Sequence, residues 1–221
     1  MGLNNINVDL IYAIPNEALN ILKKDIDFIL SLDIPHISTY SLILENNTKL
    51  MINKTKPIRE ELDNEMYKLI IDKLKDYNHY EISNFSKKGY ESKHNLVYWH
   101  NEEYYGFGLS ASGYIENVRY AKTKSITKYL DSNYINSKSI EYLSTKDKIE
   151  YQVILNLRLK EGINLIEFKN KYNNDLSKYY NYQSLIDKGL LTLKDNHLYI
   201  KEELWYISNR IIVELLMEVI E

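Results

Sequence analysis

"INVDLIYAIP" (Ile6–Pro15) is a short apolar run that ends at a proline. Its length and branched side chains favour a buried parallel strand, although the carboxylate of Asp9 is unusual inside such a strand. Residues 16–33 space their leucines and isoleucines three and four apart, which predicts an amphipathic helix. "HISTYSLIL" (His36–Leu44) predicts a second buried strand. Strand, helix and strand with short connections form a βαβ unit, so we expect parallel strands and a right-handed crossover.

The sheet that this unit begins should be incomplete. A further helix is predicted over residues 60–77 and a short strand over about His79–Ile82, but parallel sheets are covered on both faces and need more strands. Because Met1 lies almost directly before the first strand, the sequence looks as though it starts in the middle of an α/β domain. An incomplete sheet leaves an exposed edge, at which we expect dimerisation or aggregation.

The pattern changes after about Asn136. Ser144 is the expected N-cap of a helix, and Asp147 three residues later makes a variant of the capping box. The later elements that we predict are short helices near Leu165–Tyr172 and Ser177–Lys188, a hairpin with its turn at Asp195–Asn196, and a last helix at about Glu203–Ile220. This order predicts a small winged-helix-like domain, and we place the two domains at residues 1–135 and 136–221.

Composition excludes several classes of protein. The chain has 221 residues, a net charge of −3 and no lysine- or arginine-rich run, so we expect no nucleic-acid partner. No apolar run reaches membrane length and no signal-peptide pattern follows Met1, so we expect a cytoplasmic protein. The absence of cysteine excludes disulfides, thiolate catalysis and cysteine-ligated iron–sulfur clusters within this chain.

"YEISNFSKKGYESKHNLVYWH" (Tyr80–His100) has an unusual composition for the irregular loop that we predict here. If part of it is helical, His94 and Tyr98 share one face, and Asn95 and Trp99 share an adjacent face. His94 and His100 are six residues apart, unlike the spacing of zinc-binding helices, so a two-histidine metal site is not expected. Residues 104–122, with glycines between aromatic residues, predict irregular chain leading into a strand or hairpin, and a helix is expected near residues 125–130.

Several of these stretches together resemble one family. Residues 6–15 resemble a strand of the radical-SAM coproporphyrinogen-oxidase-like proteins, and residues 80–99 match a signature of the HemW-type heme chaperones within that group. The match includes the family's His-Asn-x-x-Tyr-Trp motif at His94, Asn95, Tyr98 and Trp99. Residues 155–165 and 185–193 resemble the family's C-terminal domain. The resemblance implies an α/β fold, α+β overall: the last βα units of a partial (β/α)6 barrel, followed by the winged-helix-like domain.

The resemblance also implies ligands. The motif is implicated in heme binding in the family, with His94 as the iron ligand, Tyr98 and Trp99 as ring contacts and Asn95 as an orienting group. A neutral imidazole can ligate heme iron, and flat aromatic rings can pack on a porphyrin. A structural alternative is compatible with this role: Tyr98 and Trp99 would anchor the loop, while His94 and Asn95 cap backbone groups. By the same resemblance, Asp9 contacts S-adenosylmethionine.

The family's cysteine loop, which holds a [4Fe–4S] cluster that cleaves S-adenosylmethionine, has no counterpart in this cysteine-free chain. We therefore expect the C-terminal portion of a HemW-like heme chaperone, with heme and a heme-acceptor protein as partners and the N-terminal half as a separate chain. Two other hypotheses stay open. One is an oxidoreductase like oxygen-independent coproporphyrinogen III oxidase, which is disfavoured for this chain alone because the cluster ligands are missing. The other is a stand-alone winged-helix interaction module.

Overall fold

The computed structural model describes residues 2–46, 48–131 and 137–219. Contacts between residues divide the chain into two compact units, Met1–Glu91 and Ser92–Glu221. No helix among the described residues is long and apolar enough to cross a membrane.

The first unit is a four-stranded sheet with helices. Its elements in chain order are β1 (Asn7–Tyr12), α1 (Leu19–Ser31), β2 (His36–Ser41), α2 (Lys49–Ile52), α3 (Glu60–Lys73), β3 (Asn78–Glu81) and β4 (Asn84–Ser86). The strand order is β1-β2-β4-β3, and β1 pairs with β2 in parallel, which confirms the predicted βαβ unit. Strands β3 and β4 run antiparallel to their neighbours, so the sheet is mixed. Within the described ranges it is an open sheet and not a closed barrel.

The prediction of an irregular loop from Tyr80 onward was wrong in its first part. Strand β4 follows β3 after only Ile82 and Ser83, and Glu81 pairs with Asn84 across this turn. The period-two pattern of three residues in β4 is too short to be recognised in a sequence. The position of β4 between β2 and β3 is decided by pairing with β2, which is distant in the chain.

The prediction that β1 is a buried strand was wrong for one of its faces. Leu10 and Tyr12 are buried, whereas Asn7, Asp9 and Ile11 alternate with them and are exposed. The reason is the position of β1 at an edge of the sheet, where only one face is packed. The apolar face of the sheet carries Ile37 and Phe85, and buried residues of the helices supply the rest of the core: Leu22, Ile26, Met66 and Ile70.

The second unit contains two three-stranded sheets and most of the helices. Its elements are α4 (Lys93–Trp99), β5 (Ser112–Ile115), β6 (Val118–Lys122), α5 (Ile126–Asp131), β7 (Ser137–Tyr142), α6 (Thr145–Asn156), β8 (Ile163–Asn164), α7 (Leu165–Tyr172), α8 (Tyr182–Asp187), β9 (Thr192–Lys194), β10 (His197–Tyr199) and α9 (Ser208–Met217). The sheets have the orders β5-β6-β7 and β8-β10-β9. The helices expected near residues 125–130 and 165–172 and after Ser144 are confirmed. The hairpin is confirmed as well, with its turn at Asp195–Asn196, whose φ angles are 51° and 63°.

The capping box that begins α6 is confirmed. The backbone N–H of Asp147 donates to Ser144 Oγ at 3.2 Å, and the N–H of Ser144 donates back to Asp147 Oδ2 at 2.8 Å. The hydrogen bond from Ser144 lowers the pKa of the Asp147 carboxyl below its ordinary value. A cap of this type satisfies two N–H groups at the start of the helix, which is why the sequence alone predicts the start of α6.

Two helices of the second unit are shorter than predicted. The segment from Ser177 to Lys188 is interrupted because Tyr180 pairs with Val219 and the N–H of Asn181 donates to the Glu218 carbonyl at 2.8 Å. The last predicted helix begins as a 3₁₀ helix at Glu202–Ile207 before α9. In both places apolar spacing over a few residues does not distinguish a continuous α-helix from a tighter or broken one.

The boundary predicted between residues 135 and 136 lies outside the described residues and remains a prediction. Strand β7 follows that boundary and pairs along its length with β6, which precedes it. Residues on both sides of the predicted boundary therefore belong to one compact unit.

Candidate functional site

The His-Asn-x-x-Tyr-Trp motif lies on α4, so the prediction of irregular structure there was also wrong. Ser92 is the N-cap of this helix, and its Oγ accepts from the N–H of Asn95 at 3.3 Å. The structural alternative assigned the capping of backbone groups to His94 and Asn95. At the start of α4 the capping side chain is that of Ser92. The segment from Lys93 to Trp99 contains no glycine or proline, so it continues as a helix once it is capped.

His94 and Tyr98 form a pair on one face of α4, as their spacing predicts. The Tyr98 hydroxyl and His94 Nε2 share a hydrogen bond of 2.8 Å, and the two rings meet edge to face with centroids 4.8 Å apart. His94 is exposed and Tyr98 is half-buried. The pair therefore presents an accessible imidazole beside an aromatic ring.

Tyr104 extends this pair into a cluster that sequence reasoning missed. Its ring packs edge to face on Tyr98, with centroids 4.5 Å apart. Its backbone exchanges two hydrogen bonds with Tyr114, of 2.8 and 2.9 Å, so the ring is attached to β5. The aromatic character of residues 104–107 was the available signal, but their contact with α4 depends on tertiary structure.

The C-terminal end of α4 is anchored through its backbone. Trp99 and Asn95 are both half-buried, and the Trp99 carbonyl accepts from Asn156 Nδ2 at 2.7 Å. The next carbonyl, of His100, accepts from Gln152 Nε2 at 3.4 Å. Neither Asn156 nor Gln152 was a sequence candidate, because an amide residue in an amphipathic helix gives no local signal.

His100 lies at the C-cap of α4 and forms an ion pair with Glu161. Its Nε2 lies 2.7 Å from Glu161 Oε1, and its Nδ1 lies 3.9 Å from Glu102 Oε1. The hydrogen bond with Glu161 raises the pKa of His100 and lowers the pKa of Glu161. The pair borders a polar cavity of about 390 Å³ that His197 and Lys171 also line.

Replacing His100 by glutamine should lower the free energy of unfolding by about 0.5–1 kcal/mol, because partly exposed ion pairs contribute little. Because the pKa of His100 is raised in the folded protein, its contribution to stability is complete below pH 6.5, the ordinary pKa of histidine. That contribution is lost as the pH rises through the folded-state pKa. Because the pKa of Glu161 is lowered in the folded protein, its contribution to stability is complete above pH 4.5, the ordinary pKa of glutamate, and is lost as the pH falls through the folded-state pKa. Urea unfolding should therefore show the largest difference between wild type and variant from about pH 4.5 to 6.5.

The matched control is His197→Gln, since His197 lines the same cavity but bonds the backbone carbonyl of Glu161 at 2.9 Å. A difference for His100→Gln that is constant from pH 4 to pH 9 would contradict the ion-pair explanation.

Asp9 lies in the first unit, on a face of the sheet that is polar across all four strands. Directly paired residues share a face, and the strand registers define two complete polar rows. The first row is Asn7, His36, Ser86 and Asn78, and the second is Asp9, Ser38, Asn84 and Glu81. Hydrogen bonds link the rows and the strands, for example from Asn7 Nδ2 to Asp9 Oδ1 at 2.7 Å. Asp9 is exposed, which explains how a carboxylate is accommodated in an apolar strand.

His36 is part of this polar network. Its Nδ1 lies 2.6 Å from Asn7 Oδ1, and its Nε2 lies 2.8 Å from the Tyr80 hydroxyl. Burial lowers the pKa of His36, which favours the neutral imidazole. His79 stacks on Phe85 with ring centroids 3.9 Å apart on the opposite face. Both histidines are buried.

Glu81 is the most deeply buried ionisable group of the polar face. It is 0% exposed, its carboxyl accepts from the N–H of Ser83 at 3.1 Å, and the Asn84 amide bonds its other oxygen. Burial raises the pKa of Glu81 to about 7. Sequence reasoning did not single out this residue, since a glutamate in a strand of four residues gives no sign of its burial.

No group of three or more histidine, aspartate or glutamate side chains that could hold a metal ion is present among residues 2–46, 48–131 and 137–219. The expectation that His94 and His100 do not form a two-histidine site stays a prediction.

Comparison with known proteins gives a consistent picture. Residues 143–206 match the family model described as the HemN C-terminal domain. The chain is 37% identical to the heme chaperone HemW of Lactococcus lactis, over 98% of this chain and 60% of that protein. It is 34% identical to the heme chaperone HemW of Bacillus subtilis, over 96% of this chain and 59% of that protein. The chain thus spans about three fifths of the length of these curated relatives.

The solved structure of the coproporphyrinogen III oxidase HemN from Escherichia coli, a radical-SAM enzyme, matches the fold. The TM-score is 0.75 with 14% sequence identity, and the match covers 96% of this chain and 55% of that chain. At this identity the likeness concerns the fold alone. Together the comparisons confirm the resemblance to HemW-type proteins and the α/β fold with a HemN-type C-terminal domain.

Proposed function

We propose that this chain carries the heme-contacting part of a HemW-like heme chaperone. Nearly the whole of this chain matches about three fifths of such proteins. One observation supports this most directly: α4 holds the exposed His94 against Tyr98, next to the ring of Tyr104. Heme is the cargo in this proposal. It would be handed to an acceptor protein in the cytoplasm.

The roles of the motif residues follow from their chemistry. His94 supplies the iron ligand, because a neutral imidazole has a nitrogen lone pair and His94 is exposed. Tyr98 and Trp99 contact the porphyrin ring, for which flat aromatic side chains are suited. Asn95 orients the bound heme through its amide. The hydrogen bond from the Asn156 side-chain amide to the Trp99 backbone carbonyl is compatible with a second, structural role for Trp99 in anchoring this segment.

Replacing His94 by alanine should remove the iron ligand and weaken heme binding at least about tenfold, which corresponds to about 1.4 kcal/mol. The measurement is a titration of purified protein with heme, followed by the Soret band. We expect a shifted Soret maximum in wild type and its loss in His94→Ala. His197→Ala is the matched control, since it removes a histidine of the C-terminal region whose Nδ1 bonds the Glu161 carbonyl. A Soret shift that survives unchanged in His94→Ala would reject His94 as the ligand.

S-adenosylmethionine and a [4Fe–4S] cluster, when both are bound, supply radical chemistry through the reductive cleavage of S-adenosylmethionine. The polar face that holds Asp9 fits a hydroxyl-bearing ligand, because an exposed carboxylate accepts hydrogen bonds. The cluster does not fit this chain, which contains no cysteine thiolate. We therefore propose Asp9 as a contact for S-adenosylmethionine only when another polypeptide supplies the cluster.

The edge of the sheet motivates two proposals about partners. Strand β1 is an edge strand, and Ile11 on it is 41% exposed. We propose that this edge takes a further strand, either from an N-terminal half supplied as a separate chain or from a second copy.

The domain boundary at residues 135 and 136 also stays a proposal.

The enzymatic alternative, oxidation of coproporphyrinogen III, is less favoured for this chain alone. It needs cluster ligands that the sequence lacks, and the likeness to the oxidase concerns the fold alone. The other alternative is a stand-alone winged-helix module that begins at residue 136. It is less favoured because it would separate β7 from β6, and these two strands pair.

A further inference from the structure

Helix α4 is too short to be stable by itself. It has seven residues, and isolated helices of this length do not form in water because nucleation costs more than a few hydrogen bonds return. Its orientation must therefore be imposed by tertiary contacts. Since α4 carries His94 and Tyr98, these contacts also determine where the proposed heme ligand points.

The contacts at its C-terminal end come from two amides of α6. Asn156 donates to the carbonyl of Trp99 at 2.7 Å, and Gln152 donates to the carbonyl of His100 at 3.4 Å. The last carbonyls of a helix have no partner within the helix, so these donors satisfy groups that would otherwise be unpaired. Asn156 is 6% exposed, so water does not readily replace it.

The direction of the Asn156 amide is set by a second hydrogen bond. Gln152 Nε2 donates to Asn156 Oδ1 at 2.5 Å, which leaves Asn156 Nδ2 to face the Trp99 carbonyl. Gln152 is held in turn by α7, because its Oε1 accepts from Lys171 Nζ at 2.7 Å. Hydrogen bonds in such a chain orient one another.

We propose that Asn156 is a positioning residue that holds the C-terminal end of α4, and through it His94 and Tyr98, in the orientation used for heme. Asn156 lies within residues 143–206, so this assigns to the HemN-type C-terminal domain the task of orienting the heme-contact helix. The link to heme rests on the proposed function, whereas the mechanical link from Asn156 to α4 does not.

The test is hydrogen exchange of the heme-free protein. Asn156→Leu keeps most of the side-chain volume but removes the donor, so the Trp99 carbonyl loses its hydrogen bond from Asn156 Nδ2. We expect the amide of His100, which donates to the Leu96 carbonyl at 2.8 Å, to exchange roughly tenfold faster or more. The amides of β9 and β10 should change much less. Gln152→Ala, at a half-buried position, should give the same order of effects with a smaller factor.

Leu185→Ala is the matched control. Leu185 is 0% exposed in α8, so its truncation lowers the stability of the same unit without removing a hydrogen bond to α4. It should accelerate exchange throughout the unit and not selectively in α4. Exchange in α4 that is unchanged by both amide variants, or accelerated only as much as in β9 and β10, would overturn the proposal.

A heme titration then separates this inference from the proposed function. If wild type binds heme through His94, Asn156→Leu should weaken binding several-fold and leave the Soret maximum at saturation where it is in wild type. A displaced maximum would mean changed ligation and would contradict a positioning role. If wild type binds no heme, the proposed function fails while the exchange result still decides the link between Asn156 and α4.

Discussion

Gly162→Ala is expected to destabilise the second unit, with a loss of about 3 kcal/mol or more in the free energy of unfolding. Gly162 has a φ of 69°, a region that costs a residue with a Cβ about 1 kcal/mol or more. A Cβ placed there would also lie 2.2 Å from the Leu198 carbonyl oxygen and 2.5 Å from the Cβ of Tyr199. The backbone of β10 cannot move away, because it pairs with β8 directly after Gly162 and with β9 on its other side.

The matched control is Gly189→Ala. Gly189 has a similar φ of 73°, but a Cβ there meets nothing within 4 Å. This variant should lose only about 1 kcal/mol, the conformational part of the cost. Urea unfolding followed by the fluorescence of Trp99 and Trp205, which both lie in the second unit, measures both losses. Equal losses in the two variants would show that the close approach of β10 to Gly162 has no energetic weight.

Glu81→Gln is expected to make the protein more stable than wild type at alkaline pH. Burial raises the pKa of Glu81 from an ordinary 4.5 to about 7, so the folded state binds a proton that the unfolded state releases between these values. Stability therefore falls as pH rises through this interval, by about 3 kcal/mol on an order-of-magnitude conversion. Glutamine has a similar shape to the protonated carboxyl and stays neutral, so the variant should lack this pH-dependent loss, although its single amide oxygen can accept from only one of the two donors, Ser83 N–H and the Asn84 amide.

Urea unfolding by circular dichroism from pH 4.5 to 8 is the measurement, with exchange of the β4 amides to assign the effect to the first unit. The advantage of Glu81→Gln should grow across this range and level off above about pH 7. Glu91→Gln is the control without a pH-dependent effect in this range. Desolvation by burial opposes the ionised form of Glu91, but its hydrogen bonds together lower the pKa, so its contribution to stability is complete above pH 4.5 and is lost only below that pH. Parallel stability curves for wild type and Glu81→Gln would refute the assignment of a buried, protonated Glu81.

The sequence predicted those elements whose signals lie within a few residues of one another. The βαβ unit follows from apolar periodicity, the start of α6 from Ser144 and Asp147, and the hairpin from Asp195 and Asn196. The side-by-side arrangement of His94 and Tyr98 follows from helical spacing once α4 exists. The aromatic–histidine motif is itself a local pattern, and for that reason the amino-acid sequence is sufficient to show the resemblance to HemW-type proteins.

Elements that depend on distant pairing could not be predicted in the same way. Strand β4 has three residues and is defined by its pairing with β2, whose register also assembles Asp9, Ser38, Asn84 and Glu81 into one polar row. The two-residue period of a strand determines which of its residues share a face. It does not determine which strands lie side by side.

The amino-acid sequence by itself determined the helix and strand periodicities, the aromatic–histidine motif and the absence of sulfur ligands for a cluster. Tertiary structure alone decided that Glu81 is buried, that Gly162 contacts β10 and that Asn156 bonds the end of α4. The physical reason is the range of the interactions. Caps, turns and periodicity act between residues close in the chain, whereas burial and the pairing of backbone groups depend on residues that only folding brings together.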